Sequence, residues 1–239
     1  MALPRRHEGV AAVKPRVVVA MDQLATIHEA VELVDSLCGH VAGFKIGLPL
    51  VLRHGVQAAR RLSLLCPGAL WVADFKLADI GAVMVQVASM VVDAVDAVIA
   101  HSFVGGKGAL DELKAYLDKH EKKLVLVVSM SHPGSADVYD KALDAVNAVV
   151  ERIRPWGLVA PATRPHVVRS VRSRHPWAVI LSPGVGAQGA EPGAALCSGA
   201  DYEIVGRSIT RAASPLEALR EIAAKQEEAL RRCKPGATG

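Results

Sequence analysis

Aromatic residues are scarce in this chain, at 4% of its 239 residues, and no dense run of Lys and Arg is interleaved with them. Nucleic-acid-binding proteins use basic runs to contact phosphates and aromatic side chains to stack on bases. This scarcity argues against a nucleic-acid partner. The formal net charge is only +4, with a pI near 8.9. That mild excess of positive charge suits a small anionic ligand.

The chain also lacks a C-x-x-C pair. Its four cysteines are far apart in the sequence, at Cys38, Cys66, Cys197 and Cys233. Zinc sites and thiol-redox motifs bring cysteines close together in sequence, and disulfides are rare in the cytoplasm. We therefore predict four reduced thiols, no metal site and a cytoplasmic protein.

No hydrophobic run is long enough to cross a membrane. The most apolar stretch, residues 84–100, is interrupted by Gln86, Asp93 and Asp96, and residues 1–15 have no apolar core of the kind that signal peptides carry. No linker rich in Pro, Gly or Ser divides the chain. We expect one domain over residues 1–239, with loose termini at about 1–13 and 234–239.

Short apolar runs alternate with helical patterns along the whole sequence, and 51% of the residues are hydrophobic, enough for a large core. Strands separated by helices indicate a parallel sheet, and eight such units in about 250 residues are typical of a closed (β/α)8, or TIM, barrel. The predicted strands are 16–21, 41–46, 70–75, 97–100, 124–129, 157–160, 178–181 and 202–205. The predicted helices are 27–37, 49–54 continuing towards 63, 81–92, 110–119, 137–154, 164–174, 193–197 and 215–232.

Charged residues follow the third strand in the segment Asp74-Phe75-Lys76-Leu77-Ala78-Asp79-Ile80. Strand side chains alternate between faces, so Asp74 and Lys76 should point the same way. Charges at the mouth of a buried strand cost desolvation energy. A lysine between two carboxylates stays protonated and can act as a positioned acid. The alternative interpretation is a surface salt-bridge cluster.

Five other strands also end in residues that can bind or react, as expected where the carboxyl ends of barrel strands form a site. The first and second end at Asp22 and Lys45, and the fifth ends in a segment with Ser131. The seventh ends in Ser182-Pro183-Gly184-Val185-Gly186-Ala187-Gln188-Gly189, and the eighth in Gly206-Arg207-Ser208. A glycine-rich loop beside an arginine predicts a phosphate site. The alternative is a tight turn with a surface arginine.

These motifs together resemble orotidine 5′-phosphate decarboxylase over nearly the whole chain, and most closely the short archaeal-type members. The matching elements, besides those after strands three, seven and eight, are Ala20-Met21-Asp22, Phe44-Lys45-Ile46-Gly47 and Met130-Ser131-His132-Pro133-Gly134. The D-x-K-x-x-D element is shared with sugar-phosphate relatives such as 3-keto-L-gulonate 6-phosphate decarboxylase. The resemblance selects the orotidylate branch through Lys45, Pro183 and Gln188.

The resemblance implies decarboxylation of orotidine 5′-monophosphate to uridine 5′-monophosphate in pyrimidine biosynthesis. The charged tetrad would be Lys45, Asp74, Lys76 and Asp79, with Lys76 donating a proton to C6. The implied substrate contacts are Asp22 and Lys45 with ribose, Ser131 with the pyrimidine, Gln188 and Arg207 with phosphate, and further contacts from Ile80, Pro183 and Gly206.

The resemblance also implies a homodimer, in which Asp79 reaches into the neighbouring site, and no metal or organic cofactor. One segment departs from the family. Where the family usually has a proline and then, after one more residue, a threonine that touches ribose from the neighbouring subunit, this chain has Gly81-Ala82-Val83. The ribose contact from the second subunit is therefore the part of the resemblance that this sequence does not support.

Two other functions remain as alternatives. One is a sugar-phosphate decarboxylase or aldolase of the same superfamily, which would be expected to need Mg²⁺. The other is a phosphate-ligand sensor or RNA-associated barrel without catalysis. The full set of Lys45, Asp74, Lys76 and Asp79 argues against the second, because binding an anion does not require two carboxylates beside it. We interpret His101, at the end of strand four, as a packed histidine in preference to a ligand contact.

Overall fold

A computed structural model describes residues 16–233 of the chain. The termini predicted to be loose, 1–13 and 234–239, lie outside these residues. Eight parallel strands close into a barrel, in which each strand pairs with the next and β8 pairs with β1. This confirms the predicted (β/α)8 architecture. The strands are β1 Val17–Ala20, β2 Gly43–Gly47, β3 Leu70–Leu77, β4 Ala97–His101, β5 Lys123–Val127, β6 Gly157–Val159, β7 Val179–Pro183 and β8 Tyr202–Val205.

Helices follow the strands and form the outer layer. They are α1 Ile27–Leu37, α2 Leu48–His54, α3 Gln57–Leu65, α4 Gly81–Ser89, α5 Asp111–Lys119, α6 Ser135–Val138, α7 Leu143–Ile153, α8 Pro165–Arg174, α9 Ala194–Cys197, α10 Arg207–Thr210 and α11 Pro215–Cys233. Two predicted helices are each divided in two. The first is interrupted at Gly55, between α2 and α3. The second is interrupted at residues 139–142, between α6 and α7.

Local sequence explains why these elements form. Helix α1 begins with a capping box, in which Thr26 accepts the Glu29 backbone N–H and the Glu29 carboxylate accepts the Thr26 N–H. Its buried residues are Ala30, Leu33, Val34 and Leu37, which lie on one helix face. Strand β2 is buried along its whole length, as expected for a parallel strand covered by helices. Amphipathic helices over buried strands therefore produce the barrel.

A buried carboxylate stabilises the region behind the loop that follows β7. Glu203 of β8 is fully buried and accepts hydrogen bonds from the backbone N–H groups of Gly193 and Ala195 and from Nε2 of Gln226. Burial raises the pKa of Glu203, while these donors oppose that effect. The contacts join β8, the segment before α9 and helix α11, which together support the loop that follows β7.

The prediction of four reduced thiols is wrong. Two disulfides are present, Cys38–Cys66 and Cys197–Cys233. The paired residues are 28 and 36 positions apart in sequence, and only the packing of α1 on α3 and of α9 on α11 brings them together. Three of these cysteines end helices that lead into barrel strands, and the fourth ends α11. The disulfides therefore lie at the amino-terminal face of the barrel, opposite the face where barrel active sites form.

No helix within residues 16–233 is long and apolar enough to span a membrane. This agrees with the sequence, in which charged residues interrupt the most apolar stretch.

Candidate active site

A cavity of about 270 Å³ opens at the carboxyl ends of the strands. Most of the predicted site residues line it, and they come from six strands and the segments that follow them. These residues are Asp22, Lys45, Asp74, Lys76, Ser131, Pro183, Gln188, Gly206 and Arg207. Residues more than 180 positions apart in the sequence therefore meet in one space, which explains why the strand ends carry polar side chains.

A chain of ion pairs crosses the floor of the cavity. Nζ of Lys45 lies 2.7 Å from Oδ2 of Asp22 and 3.0 Å from Oδ2 of Asp74. Nζ of Lys76 lies 2.8 Å from the same Asp74 oxygen and 2.9 Å from the other. Asp74 therefore bridges two ammonium groups. The Lys45 side chain is 6% exposed, whereas that of Lys76 is 39% exposed and accessible to a ligand.

The neighbouring charges control ionisation in this cluster. Burial alone would raise the pKa of Asp74, but the ammonium groups of Lys45 and Lys76 outweigh it, so the pKa lies below its usual value. Burial alone would lower the pKa of Lys45, but Asp74 and Asp22 outweigh it, so that pKa is raised. Both groups therefore remain charged at neutral pH despite their burial.

The backbone at Lys76 is unusual for a strand. Lys76 has a φ of 45°, in the left-handed region that non-glycine residues rarely adopt. The pairing of β3 with β4 also shifts register between Ala73 and Leu77. The predicted meeting of Asp74 and Lys76 does occur, but through this irregular backbone and not through regular alternation alone. Such strain often occurs where a side chain is held for function.

Asp22 has one carboxylate oxygen committed to Lys45 and one without a partner. Its Oδ1 is buried and receives no hydrogen bond within residues 16–233. Buried polar atoms are usually paired. Asp22 lines the cavity, so its carboxylate is suited to accept a hydrogen bond from a ligand hydroxyl.

The side of the cavity across from β3 and Lys76 is suited to an anion. Gly184, Gly186 and Gly189 all have positive φ, as the predicted loop requires. Arg207 begins α10 and donates from Nη2 to the Ala187 carbonyl at 3.3 Å, so its guanidinium lies beside this loop. An arginine against a glycine-rich loop can contact an anion together with the loop's backbone N–H groups.

Two predicted residues lie outside the cavity of their own chain. Asp79 accepts the backbone N–H of Ile80 at 2.7 Å, and it forms no ion pair with another side chain in the described part of the protein. Ile80 is 62% exposed at the start of α4. The cluster within one chain therefore contains three of the four charges that the resemblance implies.

The departure at Gly81 is part of the packing around α4. A Cβ atom added at Gly81 would lie 2.6 Å from Cβ of Glu112 on α5, which is too close. Glu112 thus occupies the space that a side chain at position 81 would need. A proline at position 81 would displace Glu112 and α5. The packing of α4 against α5 therefore requires the small glycine at this position.

Sequence reasoning missed several cavity residues. Gln23 follows Asp22, and Ser129 lies two residues before Ser131. Both are polar residues just after a strand, and that position could have identified them as cavity residues. Val127, Val159 and Ile204 also line the cavity, and their hydrophobic character is that of ordinary core residues. Within residues 16–233, no group of three or more His, Cys, Asp or Glu side chains is arranged to hold a metal ion.

Comparison with known proteins is consistent with this geometry. The model of the orotidine 5′-phosphate decarboxylase / HUMPS family matches residues 15–222. The orotidine 5′-phosphate decarboxylase of Aeropyrum pernix is 51% identical over 212 residues, 87% of each chain. That of Saccharolobus solfataricus is 42% identical over 221 residues, covering 92% of this chain and 96% of the relative.

Solved structures give the same result. Orotidine 5′-monophosphate decarboxylase from Sulfolobus solfataricus superposes with a TM-score of 0.82 at 41% identity, covering 91% of this chain and all of that one. The enzyme from Methanocaldococcus jannaschii, in complex with the inhibitor BMP, superposes with a TM-score of 0.83 at 29% identity, covering 90% of this chain and 99% of that one.

Proposed function

The chain belongs to the orotidine 5′-phosphate decarboxylase / HUMPS family of enzymes, and on this premise we propose that it converts orotidine 5′-monophosphate to uridine 5′-monophosphate and CO₂ in pyrimidine biosynthesis. The observation that carries the proposal is the Lys45–Asp74–Lys76 cluster in the same cavity as the glycine-rich loop and Arg207. One end of this cavity suits a phosphate, and the other offers an ammonium group that can donate a proton.

In the proposed reaction the bond from C6 to the carboxylate breaks, CO₂ leaves, and the electron pair stays on C6. Lys76 then gives a proton from Nζ to C6, and solvent returns a proton to the amine. The exposure of Lys76 and its two short contacts with Asp74 support this role, because the contacts hold the ammonium in position and the exposure leaves it accessible to a ligand. Asp74 stabilises that arrangement before the reaction begins, so little reorganisation is needed.

The remaining residues are proposed to bind the nucleotide. Asp22 would accept a ribose hydroxyl at its carboxylate, and Lys45 would donate to ribose. Ser131 would bind the pyrimidine, while Gln188 and Arg207 would bind the phosphate, together with backbone contacts at Pro183 and Gly206. These placements span the cavity from its charged floor to the glycine-rich loop.

The cluster also supports the orotidylate reaction over a Mg²⁺-dependent one. Mg²⁺ is held by carboxylate oxygens and water. Here the Lys45 ammonium lies between the carboxylates of Asp22 and Asp74, and together with Lys76 it balances their two negative charges. We propose that the reaction needs no metal or organic cofactor, because the lysines supply the positive charge and the proton.

We propose that the protein is a homodimer and that Asp79 completes the neighbouring site, with Ile80 beside it. Asp79 is outside its own cavity and has no partner side chain among the described residues. Exposed apolar side chains lie on α2 and at the start of α4, the helices that follow β2 and β3. These are Leu48, Leu52, Ile80 and Val83. Exposed apolar side chains beside an uncommitted carboxylate support an interface there.

We also propose a cytoplasmic location. Disulfides are rare in the cytoplasm except in hyperthermophiles, so this location requires a thermophilic host. We therefore expect both bonds to survive in extracts prepared with a thiol-blocking reagent from a thermophilic host. If the cysteines are alkylated without prior reduction, the disulfides are not present in the cell.

An ultraviolet assay tests the reaction directly. Loss of orotidine 5′-monophosphate is followed with purified protein after exhaustive chelation, and a 3-keto-L-gulonate 6-phosphate assay with added Mg²⁺ is run in parallel. We expect turnover of the nucleotide in chelator and none of the sugar phosphate. Turnover of only the sugar phosphate would assign the protein to the other branch. Loss of nucleotide turnover in chelator would refute a reaction without a metal.

A further inference from the structure

Two side chains that lie outside the lining of the cavity have no part in the proposed chemistry. His101 ends β4, and Tyr139 directly follows α6, in the segment of residues 128–142 that connects β5 to α7. The Tyr139 hydroxyl and Nδ1 of His101 share a hydrogen bond. The His101 ring also lies 4.7 Å, centroid to centroid, from the ring of Phe103. One hydrogen bond thus joins the end of β4 to the 128–142 segment.

His101 faces the site. In the parallel pairing of β4 with β5, His101 is the register partner of Val127, and Val127 lines the cavity. Register partners project to the same side of a sheet, so the imidazole is directed towards the barrel mouth. The charged groups that act on it are Lys76 and Asp74 of β3. Burial and then the Lys76 ammonium lower the pKa of His101 to about 4, so the ring is neutral at physiological pH.

Tyr139 holds the segment that carries Ser131. The Tyr139 side chain is buried, and burial raises the pKa of its hydroxyl, which therefore stays protonated. The next residue, Asp140, forms an ion pair with Arg164, and Arg164 also donates from Nη1 to Oγ of Ser129 at 3.2 Å. Two adjacent residues thus hold the 128–142 segment in place. Tyr139 binds the end of β4, and Asp140 binds the start of α8.

We propose that the His101–Tyr139 hydrogen bond is a positioning device that fixes the 128–142 segment and thereby sets the affinity of Ser131 for the pyrimidine of the nucleotide. This inference rests on the proposed function, because Ser131 is the proposed base contact. Neither residue of the pair exchanges a proton with the substrate. The pair acts through Ser131 on binding, and the neutral imidazole adds no charge to the cluster beside it.

The test is a double-mutant cycle between Tyr139→Phe and Ser131→Ala, with KM and kcat for orotidine 5′-monophosphate as readouts. Tyr139→Phe keeps the ring and removes only the hydroxyl. We expect KM to rise between about twofold and tenfold, the range that loss of one hydrogen bond gives, with a smaller change in kcat. In the Ser131→Ala background the same substitution should change KM by less than about twofold, because the two residues act through one contact.

Two further variants separate positioning from a general loss of structure. Asn presents an amide near the position of Nδ1, so His101→Asn should keep a KM close to wild type, whereas His101→Leu should behave like Tyr139→Phe. Tyr116→Phe is the matched control, since Tyr116 packs against His120, with ring centroids 4.5 Å apart, outside the residues that line the cavity. It should leave both constants unchanged.

The outcomes distinguish this inference from the function on which it rests. Wild-type protein that does not turn over orotidine 5′-monophosphate would overturn both. Wild-type turnover with an unchanged KM in Tyr139→Phe would overturn only the positioning role. Equal effects of Tyr139→Phe with and without the Ser131 hydroxyl would also overturn it, because the pair would then act independently of the base contact. If Tyr139→Phe fails to fold, the comparison of His101→Asn with His101→Leu decides the question alone.

Discussion

A mixture of two inactive variants should recover activity if Asp79 completes the neighbouring site. Asp79 lies outside the cavity of its own chain, whereas Lys76 lies within it, 2.8 Å from Asp74. Asp79→Asn removes the charge with little change in shape, and Lys76→Ala removes the proposed proton donor. Each homodimer should be nearly inactive, because every one of its sites lacks one of the two groups.

The size of the recovery follows from two-fold symmetry. In a mixed dimer one site collects both substitutions, and the other contains Lys76 from one chain and Asp79 from its partner, both unaltered. Random reassortment of equal amounts makes about half of the dimers mixed, each with one of its two sites intact. About a quarter of wild-type activity should therefore return.

The assay follows loss of orotidine 5′-monophosphate by ultraviolet absorbance, before and after subunit exchange that native mass spectrometry verifies. The matched control mixes Lys76→Ala with Asp74→Asn. These residues bind each other within one chain, so no mixed dimer can contain an intact pair, and activity should stay at the level of the homodimers. Verified exchange of Asp79→Asn with Lys76→Ala and no recovery would refute the assignment of Asp79 to the neighbouring site.

Three further predictions test the site and the fold. Lys76→Ala should lower kcat by at least about a hundredfold with an unchanged circular dichroism spectrum, since a general acid contributes that much; a kcat within tenfold of wild type would assign the proton donor elsewhere. Arg207→Ala should weaken binding of uridine 5′-monophosphate, measured by calorimetry, at least about tenfold more than binding of uridine, because a charge-assisted hydrogen bond is lost only with phosphate; equal losses would remove Arg207 from the phosphate site. Replacing Cys38 and Cys66 by Ala should lower the free energy of unfolding in guanidinium by about 3.5 kcal/mol, from the 28-residue separation that the bond spans. Turnover should persist in that variant, and an unchanged unfolding free energy would contradict a stabilising disulfide.

The sequence by itself determined the barrel and the location of its candidate site. Strand β8 and helix α1 have the boundaries that the pattern predicts, because burial imposes a short apolar run on a strand and a one-sided apolar pattern on a helix. Polar residues after six strands predicted the cavity, since the carboxyl ends of parallel strands in a barrel share one face. These signals are local, and each can be read within a few residues of the feature it predicts.

Tertiary structure decided which of those residues meet. Lys45 lies between Asp22 and Asp74, whereas Asp79 is only three residues from Lys76 and lies outside the cavity, because the chain turns into α4 at Ile80. The disulfides and the His101–Tyr139 contact join residues 28 to 38 positions apart, and no local pattern encodes such a distance. Their partners are fixed only when the helices pack around the closed barrel, since side-chain contact depends on the packing of separate elements and not on spacing along the chain.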